Sequence, residues 1–167
     1  MAAAEANPRD EVLVALLLMN GFRVSEALSV RFEDVKTEAG HTVVFLTRKS
    51  GVSARAPLNP FTLRAMDRVA EGRETGLVVT TRNGRHLNRH YAGKIINRLA
   101  KKAGIGHRIS PHSLRHTFIT LSLEAGVPLH DVQDSAGHKS PQTTMRYNRA
   151  RHSLDRHATH ALGAFLS

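Results

Sequence analysis

The 167-residue sequence predicts a mainly α fold with a small antiparallel β-sheet (α+β). Three observations carry that expectation. Helix starts recur as a capping residue followed by proline, at Asn7-Pro8, Asn59-Pro60 and Ser110-Pro111. The segments after them repeat their apolar residues at helical spacing. One β-branched run, Thr42 to Thr47, reads as a strand and is followed by turn residues.

The first helix begins at Pro8, with Asp10 and Glu11 at the positive end of its dipole, and should run to about Asn20 and stop at Gly21. A short second helix opens at Ser25-Glu26 and carries Ala27, Leu28 and Val30. After the strand at Thr42–Thr47, Arg48-Lys49-Ser50-Gly51 forms a turn into a second strand near Arg55–Leu58. The helix from Pro60 places Leu63, Met66, Val69 and Ala70 on one face. Leu77–Thr80 reads as a short strand, closed by the Arg82-Asn83-Gly84-Arg85 turn. A basic helix spans roughly 88–103, with Ile95, Ile96 and Leu99 as its apolar stripe. The next runs from Pro111 to about Ala125 and ends at Gly126. Short helices near Leu129–Ser135 and Pro141–Arg146 precede a last one, 153–166. With no repeat and no linker, the expectation is one domain over 1–167.

Composition narrows the function. The chain has no cysteine, which excludes a disulfide framework, thiol catalysis and cysteine-ligated zinc. Its longest apolar run, Val12–Met19, is far short of the roughly 20 residues that span a bilayer. Glu5, Asp10 and Glu11 are the wrong flank for a signal peptide, so a cytoplasmic protein without a membrane partner is expected. Lys+Arg 24 against Asp+Glu 14 gives a net charge of +10, which points to a polyanion, most simply nucleic acid.

That charge is concentrated. No Asp or Glu occurs between Glu74 and Glu124, whereas nine Lys and Arg do. A solvated basic face would intersperse acids. Their absence marks Arg82, Arg85, Arg89, Lys94, Arg98, Lys101 and Lys102 as candidate contacts to a nucleic-acid phosphate backbone.

Four further pieces belong together. Gly21-Phe22-Arg23-Val24-Ser25-Glu26-Ala27-Leu28 sets an arginine at a helix junction, with a glutamate three residues on. Lys49 lies in the turn between strands. His112-Ser113-Leu114-Arg115-His116 opens a helix, where His112 and Arg115 share a face near the positive end of the dipole, a plausible phosphate site. Arg can there donate two parallel hydrogen bonds to phosphate oxygens. Gly137-His138 stands nine residues before Tyr147, one of only two tyrosines. His112 and His116 also have metal-ligand spacing, but Arg115 sits beside them and no Glu accompanies them, so no metal is expected.

In order and spacing these boxes resemble the catalytic domain of the tyrosine recombinases, the phage-integrase family, over about Pro8 to Tyr147. The resemblance implies a catalytic domain of that fold and a site-specific recombinase or integrase of a phage or other prokaryotic mobile element. It would cut and rejoin double-stranded DNA without metal or other cofactor. Tyr147 would be the nucleophile forming a 3′-phosphotyrosine, and Arg23 and Arg115 would hold the non-bridging oxygens. Lys49 would protonate the 5′-oxygen, His112 would assist proton transfer at the tyrosine, and His138 would hydrogen-bond the phosphate. Glu26 would orient the site. The family's core-binding domain is expected to be absent. The apolar stripe of residues 152–167 (Leu154, Ala158, Ala161, Leu162 and Phe165) would pack in cis or on a neighbouring subunit. A homo-oligomer, a tetramer on DNA, is implied, with a monomer for the isolated domain.

Two sequence features depart from the pattern. Ser135-Ala136 replaces a bulky apolar pair before Gly137-His138, and Lys49 sits in Arg48-Lys49-Ser50 rather than in a glycine-flanked motif. The rivals are a type IB topoisomerase-like relaxing enzyme, a catalytically silent DNA-binding regulator of the same fold, and a basic RNA-associated module. The last leaves the Arg/His/Tyr spacing unexplained.

Overall fold

An eight-residue apolar run with no polar face must be covered on all sides, and that requirement places the first helix at the centre. In the computed structural model, which describes residues 1–48, 51 and 53–137, helix α1 (Pro8–Leu18) is buried along most of its length. Its N-cap Asn7 accepts from the N–H of Asp10, as the Asn-Pro start predicts. Two carboxylates are buried with it, and each has a cation. Asp10 takes Arg9 at 2.7 Å and also Arg98, while Glu11 pairs with Arg68 at 3.0 Å.

Around α1 lie α2 (Val24–Ser29), α3 (Pro60–Ala70) and α4 (Arg89–Lys102). Buried Asn20 ties the end of α1 to two of its neighbours: it donates to the carbonyl of Pro57 at 2.9 Å and accepts from the hydroxyl of Thr62. The core joins Leu13, Leu16 and Leu17 to Leu28, Val44, Val79 and Ile96. A three-stranded antiparallel sheet, order β1-β2-β3, covers one side with β1 (Val35–Glu38), β2 (His41–Thr47) and β3 (Ser53–Pro57). The strands expected at Thr42–Thr47 and near Arg55–Leu58 correspond to β2 and β3.

Two details differ from the sequence reading. β1 was not predicted. It is set by a two-residue turn, since Glu38 pairs with His41 and both Ala39 (φ 49) and Gly40 (φ 78) are left-handed. That turn is of the primed type, whose twist suits a hairpin. Conversely, Leu77–Thr80 is not a strand. It makes only isolated bridges, Leu77 with Arg31 and Thr80 with His86. Val78 and Val79 are fully buried, so the apolar run records burial rather than a ladder.

Helices α5 (Pro111–Glu124) and α6 (Leu129–Ala136) follow. The chain divides into two compact units, 1–118 and 119–167, with the division inside α5. Within the second unit, Ile119, Leu123, Val132 and Ala136 are buried. The helices expected at 141–146 and 153–166 lie outside the described residues. Among the described residues no helix is long and apolar enough to cross a membrane.

Candidate active site

The site begins where α1 must stop. Gly21 adopts φ +63, a left-handed conformation that lets the N–H of Phe22 reach back to the carbonyl of Leu16 at 3.1 Å. Space demands glycine there as well. A Cβ on Gly21 would lie 2.2 Å from Cδ1 of Phe118. Phe22 is buried, so the chain emerges in a fixed direction and delivers Arg23 in extended backbone at the head of α2.

Glu26 then grips Arg23 at both ends. One carboxylate oxygen accepts the backbone N–H of Arg23 at 2.8 Å, and the other accepts its guanidinium at 2.9 Å. Glu26 is 5% exposed and Arg23 is 32% exposed, so a buried anion orients a cation that still reaches solvent. This is one half of a capping box, with the salt bridge added to it.

Helix α5 supplies the second arginine. Ser110 and Ser113 cap its start reciprocally: the N–H of Ser113 donates to Oγ of Ser110, and the N–H of Ser110 donates to Oγ of Ser113, both at 3.2 Å. That start places His112 in the first turn and Arg115 one turn in. Arg115 is buried, and its Nη1 donates to the carbonyl of Gly21. Residues 94 positions apart thereby meet, and both arginines converge on the junction 21–23. A guanidinium carries five donors, and Arg115 gives one of them to the Gly21 carbonyl, which helps to fix its orientation.

His112 is exposed at the same helix start. Its Nε2 lies 2.6 Å from Nε2 of His116, with the rings edge-to-face at 80°. His116 titrates below the usual imidazole range. Burial is the main cause, followed by the charges of His112 and Arg115. Among the described residues no three of His, Asp and Glu gather as a metal ion would require.

Lys49, His138 and Tyr147 lie outside the described residues. Lys49 falls in sequence between the paired strand ends Thr47 and Ser53. α6 ends in left-handed Gly137, immediately before His138. The small residue at 136, noted as a departure from pattern, is buried.

The basic stretch sorts into different environments. Arg82, Arg85, Arg89, Lys94, Lys101 and Lys102 are exposed. Lys101 and Lys102 end α4, where cations also complement the helix dipole. Arg98 is exposed as well, and it also pairs with buried Asp10, a contact that sequence reading did not foresee. Arg82 and Arg85 line an open cleft of about 410 Å³ with His86, Asn88, Tyr91 and Arg9. Sequence reading missed Arg9 and Tyr91 there, since only the tertiary fold brings them to it. It also treated His116 solely as a metal candidate, although its four-residue offset from His112 was the signal for a same-face pair.

A small helical domain edged by a three-stranded sheet, with two arginines converging on one helix junction, is thus in place. The chain belongs to the phage integrase family, whose sequence model matches residues 1–153. Among individual proteins, tyrosine recombinase XerD of Corynebacterium glutamicum is 33% identical over 153 residues, covering 87% of this chain and 49% of that protein. Tyrosine recombinase XerC of Pelobacter propionicus is 31% identical over 152 residues, covering 89% and 49%. The chain therefore spans about half the length of the relatives it matches. Solved structures agree. XerH site-specific recombinase bound to difH substrate, a pre-cleavage complex, superimposes with a TM-score of 0.75 at 25% identity, covering 87% of this chain and 44% of that one. XerA recombinase gives 0.78 at 24%, covering 89% and 54%.

Proposed function

We propose that this chain is the catalytic part of a site-specific tyrosine recombinase or integrase, which cuts and rejoins double-stranded DNA through a 3′-phosphotyrosine. The observation that carries the reading is the convergence of Arg23 and Arg115 on one junction, each held by a specific acceptor, Glu26 and the Gly21 carbonyl. Phosphoryl transfer places charge on the non-bridging oxygens, and cations oriented beforehand stabilise it without reorganising. Here the protein supplies that charge itself, so the reaction requires neither metal nor nucleotide.

The phenol oxygen of Tyr147 attacks phosphorus, and the bond from phosphorus to the 5′-oxygen breaks. His112 takes the phenol proton, Lys49 gives a proton to the departing 5′-oxygen, and His138 hydrogen-bonds the phosphate. A phenol with a pKa near 10 needs such a base at neutral pH. The 5′-hydroxyl of another strand then reverses the step. The phosphotyrosine retains the bond energy, so religation needs no added energy source.

Relatives named tyrosine recombinase, and structures of XerH on difH DNA and of the Tn1549 integrase with circular intermediate DNA, support duplex DNA as partner and favour recombination over relaxation. The exposed cations of 82–102 track the backbone. We further infer assembly into a homo-oligomer on DNA and a cytoplasmic, nucleoid-associated location. The test is a nicked suicide duplex carrying the cognate site, with denaturing gels to detect a covalent protein–DNA adduct. Wild type should form it and Tyr147→Phe should not. Equal yields from the two, or no adduct from wild type, would overturn the proposal.

A further inference from the structure

His112 and His116 stand one turn apart on α5 with their Nε2 atoms 2.6 Å apart and their ring centroids 4.1 Å apart. A hydrogen bond between two imidazole nitrogens has one donor and one acceptor, so the contact fixes opposite tautomers in the two neutral rings. The ring whose Nε2 donates keeps its lone pair on Nδ1. The ring whose Nε2 accepts carries its proton on Nδ1.

Proton removal from the tyrosine needs a lone pair on His112. With Nε2 of His112 engaged by His116, the one nitrogen left to act is Nδ1. We propose that His116 is a positioning residue: its Nε2 accepts the Nε2–H of His112, which holds Nδ1 of His112 unprotonated and keeps its lone pair for the phenol proton. This rests on the proposed role of His112 in strand cleavage. The protons balance. The phenol proton passes to Nδ1 of His112, which becomes an imidazolium with two N–H groups. Its Nε2–H still donates to His116, and His116 itself gains no proton.

Neutrality of His116 is what lets the pair work. Burial disfavours a charge on His116 most, and the charges of His112 and Arg115, both cationic when protonated, act in the same direction. All three disfavour a proton on His116, so its lone pair persists while His112 cycles. A second imidazolium would remove the acceptor and set two like charges in contact. A purely structural pairing gives no reason for one fixed direction of donation.

The direction is measurable by long-range ¹H–¹⁵N NMR on the whole chain labelled at histidine, without DNA. In wild type, His112 should be Nε2–H and His116 should be Nδ1–H, the tautomer that a free histidine side chain favours less. His116→Leu should release His112 into a tautomer mixture. It should slow single-turnover adduct formation about 10- to 100-fold, the range that outer partners of an oriented histidine command, with DNA affinity unchanged. His116→Gln, whose amide oxygen can accept the same N–H, should recover part of the rate. An Nε2–H on His116 in wild type would overturn the inference. So would a His116→Leu variant that cleaves at the wild-type rate with His112 still in a single tautomer. If wild type forms no Tyr147-dependent adduct, the functional proposal fails instead, and the tautomers still decide the pairing.

Discussion

Gly21→Ala tests whether the junction builds the site. The substitution forces a side chain into φ +63, and its Cβ would stand 2.2 Å from Cδ1 and 2.5 Å from Cε1 of Phe118. The left-handed conformation costs roughly 1–2 kcal/mol for a residue with a Cβ. Relieving the overlap by moving the ring or the backbone costs about 1–3 kcal/mol more. The two together predict a loss of about 2–5 kcal/mol, read by urea unfolding followed by circular dichroism. Gly72→Ala is the internal control, because Gly72 has φ +82 with nothing within 4 Å of the added Cβ. It should lose only the conformational part. The Gly21 carbonyl is also the acceptor of Arg115, so a shifted backbone should misdirect that guanidinium. Losing one oriented donor of this kind costs about a hundred- to a thousandfold in rate. Pairing Gly21→Ala with Phe118→Leu should recover part of the stability, because the two changes share one contact. If Gly21→Ala is no less stable than Gly72→Ala and forms the adduct at the wild-type rate, the junction does not hold the site as described.

Two further expectations concern charge. Arg98→Ala removes one of two cations from buried Asp10 and should lower stability by about 1–2 kcal/mol, whereas Lys94→Ala should leave unfolding unchanged. In DNA binding the order reverses: Lys94→Ala should reduce the slope of log affinity against log salt by about one, measured by fluorescence anisotropy on any duplex. Equal stability losses from the two would contradict the pairing. For His116, the folded pKa lies below the ordinary value of about 6.5. As pH falls below that value the unfolded chain takes the proton first, so the contribution to stability is full above about 6.5 and is lost through the folded value. His116→Gln should therefore flatten the acid loss of stability between pH 7 and 5, seen in melting temperature against pH. An unchanged slope would mean that His116 titrates alike in both states.

What could be read from the sequence follows from what is local. Asn7-Pro8, Asn59-Pro60 and Ser110-Pro111 start helices because cap and fixed φ act within a few residues, and all three starts are found. β1 escaped because Val35-Lys36-Thr37-Glu38 has no apolar alternation; its pairing is imposed by the Ala39-Gly40 turn. Leu77–Thr80 misled because a short apolar run looks alike in a strand and in a buried loop. The arginines of the site were legible through their motifs. Their holding groups were only partly so: Glu26 is three residues from Arg23, but the Gly21 carbonyl and Phe118 meet this junction only through tertiary contact.

The same division explains why one member of the basic stretch has a partner that the sequence did not reveal. Charge counting treats Arg98 and Lys94 alike, since both project from α4 into a run that has no local acid. Their difference lies 88 residues away, in an aspartate that the central helix buries and that must be neutralised. A run without nearby carboxylates therefore identifies a surface available to a polyanion only after the long-range carboxylates have been subtracted. In this chain that correction applies to Arg98, which is 61% exposed but shares its guanidinium with Asp10. The two arginines proposed to hold the phosphate are set apart by the opposite property. Arg23 and Arg115 are held at one helix junction, by a buried carboxylate and a backbone carbonyl.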